Sequence, residues 1–117
     1  MNRPGQIRPN EFELAILERM ARSNPSLLSY LGKLHVLSRE FTGVGSHTNF
    51  KCNAEGAQVE ENQIGLDDLI EMPNVQNGMG AVLFCQGERP RCLETYTFGA
   101  ELWDGVFEGF VIQNATE

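Results

Sequence analysis

The sequence predicts an α+β fold in which N-terminal helices pack on one face of a mostly antiparallel sheet of five to six strands. Helical periodicity is confined to the first third of the chain, where Phe12, Ile16 and Met20 lie on one stripe. After residue 34 short apolar runs alternate with turn residues, which is typical of antiparallel strands joined by short connections. The 117 residues suit a single domain. Its predicted parts are an arm (1–9), a helical part (10–32) and a sheet (34–113).

Capping residues set the predicted boundaries of the helices. Asn10 is a favourable N-cap, and Glu13 three positions later completes a capping-box pattern. Asn24-Pro25 ends this helix and can begin a second one, because proline fits the first helical position. The second helix is expected to end at Gly32, since glycine commonly follows a helix C-terminus.

The stretch 77–98 predicts a β-hairpin at the centre of the sheet. Two apolar runs flank a turn rich in Gly and Pro, and Asn77-Gly78 supplies a second turn signal before them. Pairing Gln86 with Arg91 would place Cys85 opposite Cys92, with sulfurs near enough to bond under oxidation. We expect both thiols to be reduced in the cell.

In that register both faces of the hairpin are substantially apolar, and the N-terminal helices can cover only one. The second face then needs a cover of its own. A second copy of the chain can cover this face, because large exposed apolar patches mark interaction sites and two-fold dimers are the commonest assembly. The alternative is a segment of the same chain, either 53–63 or 99–105, which contains Trp103. We expect a homodimer.

Charge and composition exclude several partners. The net charge is −7, and the residues after Lys33 hold thirteen acidic side chains against four basic ones. Such a surface repels phosphate backbones, so no nucleic-acid binding is predicted, and it favours a basic protein partner. The alternative is that the acidic surface only keeps the protein soluble. The three cysteines and two histidines lack the close spacing of zinc ligands, so neither a metal nor a cofactor is predicted.

Nothing in the sequence predicts association with a membrane. No apolar stretch approaches the ~20 residues of a membrane-spanning helix. The residues Met1–Gly5 are followed by no apolar run, so no secretory signal is predicted. We expect a cytoplasmic protein.

Two stretches carry a resemblance to known sequences. The first is Ser38–Gly45, which reads SREFTGVG, with Thr48-Asn49-Phe50 following. The second is Gly78–Phe84, which reads GMGAVLF, with Leu93–Thr97 (LETYT) following. Together they resemble an uncharacterised family of small bacterial proteins with an "REFTGVG…F" stretch and an "LEGYTY" stretch. This chain departs from that pattern at Ser46, where an aromatic residue is expected, and at Thr95, where glycine is expected. The resemblance implies a bacterial source and an α+β fold, and it implies no activity.

Four residues are the candidate binding residues: Arg39, Glu94, Tyr96 and Trp103. Glu94 shares its predicted face with Tyr96, and a carboxylate among apolar groups has a raised pKa that suits acid–base chemistry. The favoured alternative is a structural role, either a salt bridge to Arg39 or Arg91 or a hydrogen bond to Tyr96 at the sheet margin. Trp103 belongs to an aromatic cluster that serves either as core or as an interface anchor. No catalytic residue is assigned.

Three hypotheses for the function follow. The first is a non-enzymatic, acidic protein-binding module, in one form an immunity-type inhibitor of a basic toxin, by analogy of size and charge. The second is a small enzyme or ligand-binding domain that uses Glu94, Tyr96 and Arg39. The third is a structural homo-oligomer. We favour the first, because the sequence holds no catalytic motif.

Overall fold

The computed structural model describes residues 7–51 and 58–113. Within these ranges one α-helix and a 3₁₀ helix precede a sheet of seven strands. The helices are α1 (Glu11–Ser23) and the 3₁₀ helix Pro25–Tyr30, and a single 3₁₀ turn, Phe98–Ala100, follows the sixth strand. The strands are β1 (His35–Phe41), β2 (Gly45–Lys51), β3 (Gln63–Gly65), β4 (Leu69–Met72), β5 (Val75–Gln86), β6 (Arg89–Thr97) and β7 (Val111–Gln113).

The sheet is antiparallel at every pairing of its described strands. Its order is β1-β2-β6-β5-β4-β7, and β3 also pairs with β5. The predicted α+β class with an antiparallel sheet is therefore confirmed, with seven strands in place of five or six. Most of the predicted arm, residues 1–6, lies outside the described residues, as does Cys52.

Helix α1 begins with the predicted capping box. The Asn10 side chain accepts a hydrogen bond from the Glu13 N–H at 2.8 Å, and the Glu13 carboxylate accepts one from the Asn10 N–H at 2.9 Å. The apolar stripe Phe12, Ile16 and Met20 is buried against the sheet side of the core. One face of α1 thus covers one face of the sheet, as the periodicity predicted.

The second helix is a 3₁₀ helix of six residues, Pro25–Tyr30, and not an α-helix that ends at Gly32. Its buried side chains, Leu27 and Tyr30, stand three apart, which matches three residues per turn. The Ser29 hydroxyl donates to the Ser26 carbonyl at 3.2 Å. Serine side chains that bond to the backbone in this way compete with the hydrogen bonds of an α-helix. The segment is also too short for the hydrogen bonds of an α-helix to offset the free-energy cost of nucleating it.

The central hairpin forms, but in a different register from the predicted one. Gln86 pairs with Arg89 around a two-residue turn, Gly87-Glu88, whose φ values of 60° and 65° suit a type I′ turn. The register then shifts between Phe84 and Cys85, where Arg91 is the extra residue of a β-bulge on β6.

The predicted pairing of Cys85 with Cys92 is therefore wrong. Phe84 stands opposite Cys92, and Pro90 stands opposite Cys85. Both cysteines are free thiols. Because side chains alternate across a strand, the offset also reverses which residues share a face. Leu83 faces the buried Leu93, whereas Val82 faces Glu94 on the other side.

The second predicted turn is also displaced. Asn77-Gly78 lies inside β5, and the tight turn is Pro73-Asn74, which joins β4 to β5. Proline supplies the fixed φ of the first turn position, and Asn74 adopts the positive φ, 67°, of the second. Asn77-Gly78 has the residue types for a hairpin turn, but Pro73 cannot continue a strand interior and ends β4 first.

Trp103 packs in the layer of α1 and does not cover the second face of the sheet. Its ring meets the ring of Phe41 edge-on at 5.6 Å and lies 6.3 Å from the ring of Phe12. Trp103 is only 3% exposed. The prediction that Trp103 of segment 99–105 covers the second face is therefore wrong. The other segment predicted to cover that face is 53–63, of which residues 53–57 lie outside the described residues.

Candidate functional site

Arg39 is held on the inner face of the sheet, beneath α1. Its Nε and Nη2 atoms each donate to the Glu13 carboxylate at 2.7 Å, so the pair is bidentate. The Thr48 hydroxyl donates to the same carboxylate at 2.6 Å. Glu13 is 1% exposed. Its hydrogen bond to Arg39 raises the pKa of the guanidinium above its ordinary value. This is a structural ion pair, whose partners satisfy each other.

The opposite side of the sheet carries a different set of side chains, which we call the outer face: Glu40, His47, Asn49, Val82, Phe84, Cys92, Glu94 and Tyr96. The registers place these residues opposite one another on β1, β2, β6 and β5. None of them is fully buried. The outer face is thus the less covered side of the sheet.

A polar row crosses three strands of the outer face. His47 stands opposite Glu40 on β1 and opposite Glu94 on β6. The His47 Nε2 atom lies 2.7 Å from a carboxylate oxygen of Glu94. Glu94 therefore has a histidine partner, and neither Arg39 nor Arg91 is its ion-pair partner. Two carboxylate residues therefore flank one imidazole in this row.

An aromatic pair borders the polar row. The ring of Tyr96 meets that of Phe98 edge-on, with centroids 5.7 Å apart. Tyr96 is 37% exposed and Phe98 42% exposed. The Tyr96 ring lies directly over Gly80, where a Cβ would approach the ring atoms to 2.8 Å. Gly80 therefore lets the tyrosine lie flat across β5, so that the aromatic pair presents a broad apolar surface to solvent.

The structure divides the four predicted binding residues into two pairs. Glu94 and Tyr96 share the outer face, whereas Arg39 and Trp103 belong to the inner layer with α1. Sequence reasoning missed His47 as the partner of Glu94. The register of β2 against β6 decides that pairing, and local patterns in the sequence do not reveal it. It also assigned Glu13 only a capping role, although the carboxylate additionally binds Arg39 and Thr48.

The thiols on the hairpin are unsuited to nucleophilic chemistry. Burial raises the pKa of Cys92, and the nearby carboxylates of Glu94 and Glu40 raise it further. Burial likewise raises the pKa of Cys85 to about 11, with the charge of Glu61 adding to the effect. A reactive cysteine needs a lowered pKa, because the thiolate is the nucleophile. Neither thiol therefore has the lowered pKa of a nucleophilic cysteine.

The raised pKa of Cys85 predicts slow alkylation. At pH 8 its thiolate is about a hundred times scarcer than that of a thiol with a pKa of 9.0. A more basic thiolate is a stronger nucleophile, which offsets about tenfold of this difference. We therefore expect iodoacetamide to react with Cys85 about tenfold more slowly than with an accessible thiol of pKa 9.0. Digestion after glutamate residues separates the three cysteines for mass spectrometry. Alkylation at the rate of the accessible thiol would contradict the burial of Cys85.

The same pKa has a consequence for stability at high pH. The folded state holds the Cys85 proton more tightly than the unfolded state does, because the folded pKa of about 11 exceeds 9.0. The contribution of Cys85 to stability is therefore fully present at neutral pH. It is lost as the pH rises from about 9 through about 11.

Within residues 7–51 and 58–113, no three His, Cys, Asp or Glu side chains are placed to hold a metal ion. Among the same residues, no helix combines the length and the apolar character that spanning a bilayer requires. Comparisons with models of protein families, with curated proteins and with solved structures find no match to this chain.

Proposed function

We propose that this chain is a non-enzymatic protein-binding module whose outer face docks on a basic protein. The observation that carries the proposal is the exposed aromatic pair of Tyr96 and Phe98, which lies on the same side of the sheet as Glu40 and Glu94. Apolar surface and negative charge thus occupy one side of the sheet.

The aromatic pair supplies the anchor. Tyrosine is enriched among the few residues that contribute most of the binding energy at protein interfaces. A ring that already lies flat over Gly80 loses little side-chain freedom on binding. Val82 and Phe84 extend the apolar surface along β5 and are half-buried in the free chain. A partner that covers these rings would remove them from water, which favours association.

The carboxylates supply the choice of partner. Glu40 and Glu94 lie on either side of His47, and lysine or arginine side chains at the rim of a partner surface would complement them. Charge complementarity of this kind selects partners and speeds their encounter. An immunity-type inhibitor of a basic toxin is one form that such a module takes. Lysine-rich surfaces of other basic proteins satisfy the same chemistry.

The uncovered outer face also supports a second candidate, homodimerisation. Two copies joined through this face would bury the aromatic pairs against each other, but they would also bring Glu40 and Glu94 close to the same residues of the partner copy. Salt screens like charges as well as opposite ones. A homodimer should therefore strengthen as salt is added, whereas a complex with a basic protein should weaken.

Paired variants test the proposal. The wild-type chain and the double variant Tyr96→Ser/Phe98→Ser are immobilised, and proteins of the source cell are captured at about 50 mM and about 500 mM salt. A protein captured at low salt is purified, and its affinity for both chains is measured by calorimetry. We expect the double variant to bind at least about a hundredfold more weakly, since two interface anchors are lost.

Leu28→Ser is the matched control, because Leu28 is also exposed but lies on the 3₁₀ helix. This variant should bind like the wild type. Capture that survives the double variant, or that Leu28→Ser also abolishes, would defeat the proposal. A self-associating chain whose mass on light scattering rises with salt would establish the homodimer instead.

A further inference from the structure

A second surface, away from the outer face, has the character of a ligand site. A pocket of about 410 Å³ lies between the start of α1 and the segment 106–110. Its walls include the rings of Phe12, Phe107 and Phe110, and the carboxylate residues Glu11 and Glu108 also line it. The volume falls within the range of small-molecule sites, about 300–1,000 Å³. We propose that this phenylalanine pocket binds an alkylammonium cation.

Three phenylalanine side chains pack together at the pocket. The Phe12 ring lies 5.5 Å from that of Phe107 and 5.2 Å from that of Phe110, the latter edge-on. Phe107 and Phe110 are half-buried, so parts of their surface remain accessible. Phe12 is only 1% exposed, so Phe107 and Phe110 are the rings that a ligand can reach. The face of an aromatic ring attracts a cation, and aromatic cages hold methylated ammonium groups in this way.

Charge in and around the pocket favours a cation over a neutral or anionic ligand. Glu11 and Glu108 are both exposed, and no lysine or arginine lines the pocket. Three arginines lie near its walls. The Arg39 guanidinium lies 5.9 Å from the centroid of the Phe107 ring. Arg19, which pairs with Asp68, and Arg22 line a neighbouring pocket that Phe110 also lines. For Arg39, the contact is with a wall residue. The charge of Arg39 is neutralised by the bidentate pair with Glu13. The guanidinium also shows that the Phe107 ring already accepts a cation on its face.

The wall formed by residues 103–110 is held at several points. Trp103 is buried, Gly105 packs against the Phe41 ring, and Gly109 approaches Pro73 so closely that a Cβ would lie 2.7 Å from the proline Cγ. The Val106 N–H donates to the Asp104 side chain at 3.0 Å. A wall held in this way needs little reorganisation to receive a ligand, which favours affinity.

The ligand chemistry could come from a small quaternary ammonium compound or from a methylated lysine of a protein. Trp103 reports on binding in either case, because it is the chain's single tryptophan and its ring lies 5.4 Å from that of Phe107. The full chain is titrated with choline, with an N-acetylated trimethyllysine amide, and with 3,3-dimethylbutan-1-ol, the neutral carbon analogue of choline. Fluorescence and calorimetry follow the three titrations.

We expect one or both cations to bind and the neutral analogue not to bind. Tighter binding of trimethyllysine would assign the site to a protein side chain, and tighter binding of choline to a small molecule. Phe107→Leu keeps the apolar bulk but removes the ring, and should weaken binding about fivefold or more. Glu108→Gln should weaken it about threefold. Glu60→Gln, an exposed glutamate that does not line the pocket, should leave it unchanged.

Two results would overturn the assignment. One is a response to the neutral analogue equal to that for choline, because the pocket would then recognise shape and not charge. The other is the absence of binding by all three probes to a wild-type chain that unfolds cooperatively. Glu108→Gln keeps the test decisive if Phe107→Leu disturbs the fold, since Glu108 is exposed and its replacement removes charge alone. The outcome is independent of the function proposed for the outer face.

Discussion

Replacing Glu13 with leucine should lower the free energy of unfolding by about 3–5 kcal/mol, because it removes one partner of a buried ion pair. The substitution leaves the Arg39 guanidinium, the Thr48 hydroxyl and the Asn10 N–H without the oxygens that accept from them. Unsatisfied buried donors cost more than their hydrogen bonds contribute when made. Arg39 is partly exposed, so hydrogen bonds from its guanidinium to water reduce part of this destabilisation.

Urea denaturation of the wild type and three variants measures the effect. Glu11→Gln is the matched control: it lies in the same helical turn but is exposed, and it should change stability by less than about 0.5 kcal/mol. The double variant Glu13→Leu/Arg39→Leu should be more stable than Glu13→Leu alone, because it no longer strands a charge. A Glu13→Leu chain as stable as the Glu11→Gln control would show that the contacts of Glu13 with Arg39 and Thr48 do not hold α1 to the sheet.

Replacing Gly45 with alanine should also be strongly destabilising, by about 2–3 kcal/mol or more. Gly45 begins β2 and stands opposite Tyr96 on β6. A Cβ at this position would overlap the Thr95 carbonyl oxygen and come within 2.9 Å of its carbon. The obstructing atoms belong to the backbone of the paired strand, so no side-chain rotation relieves the overlap and the strands must separate locally.

Gly65→Ala is the control for this prediction, because Gly65 is also a strand glycine but has open space where the Cβ would stand. The φ angle of Gly65 is not in the left-handed region, so alanine fits there without strain. Alanine should be neutral or should stabilise the fold by about 0.4–1 kcal/mol, because it lowers the conformational entropy of the unfolded chain. Thermal and urea unfolding measure both variants. Equal stability of Gly45→Ala and Gly65→Ala would contradict the close approach of β2 to β6.

The parts of the fold that follow from local chemistry could be predicted from the sequence. The capping box of Asn10 and Glu13 and the stripe of Phe12, Ile16 and Met20 depend on neighbours within two turns of helix, and both form as expected. The antiparallel sheet also follows from short apolar runs separated by turn residues.

The register of the hairpin could not be predicted in the same way. The sequence between Cys85 and Cys92 is compatible with either a two-residue turn and a bulge or a four-residue loop. Packing of the hairpin against the rest of the fold decides which of the two has the lower free energy. Leu83 and Leu93 bury together only in the observed register, which also places Cys92 and Glu94 on the outer face. The displaced pairing therefore placed Val82 and Phe84, and not Leu83, on the face that holds Cys92 and Glu94.

Hydroxyl-radical footprinting tests the central claim most directly, because it measures the solvent exposure of individual side chains with and without a partner. The chain is oxidised alone and in complex with the basic protein captured at low salt, and Tyr96, Phe98 and Leu28 are quantified by mass spectrometry. We expect the oxidation of Tyr96 and Phe98 to fall several-fold in the complex, while Leu28 on the 3₁₀ helix stays unchanged. Unchanged oxidation of Tyr96 and Phe98, with protection of Leu28 instead, would show that the outer face is not the docking surface.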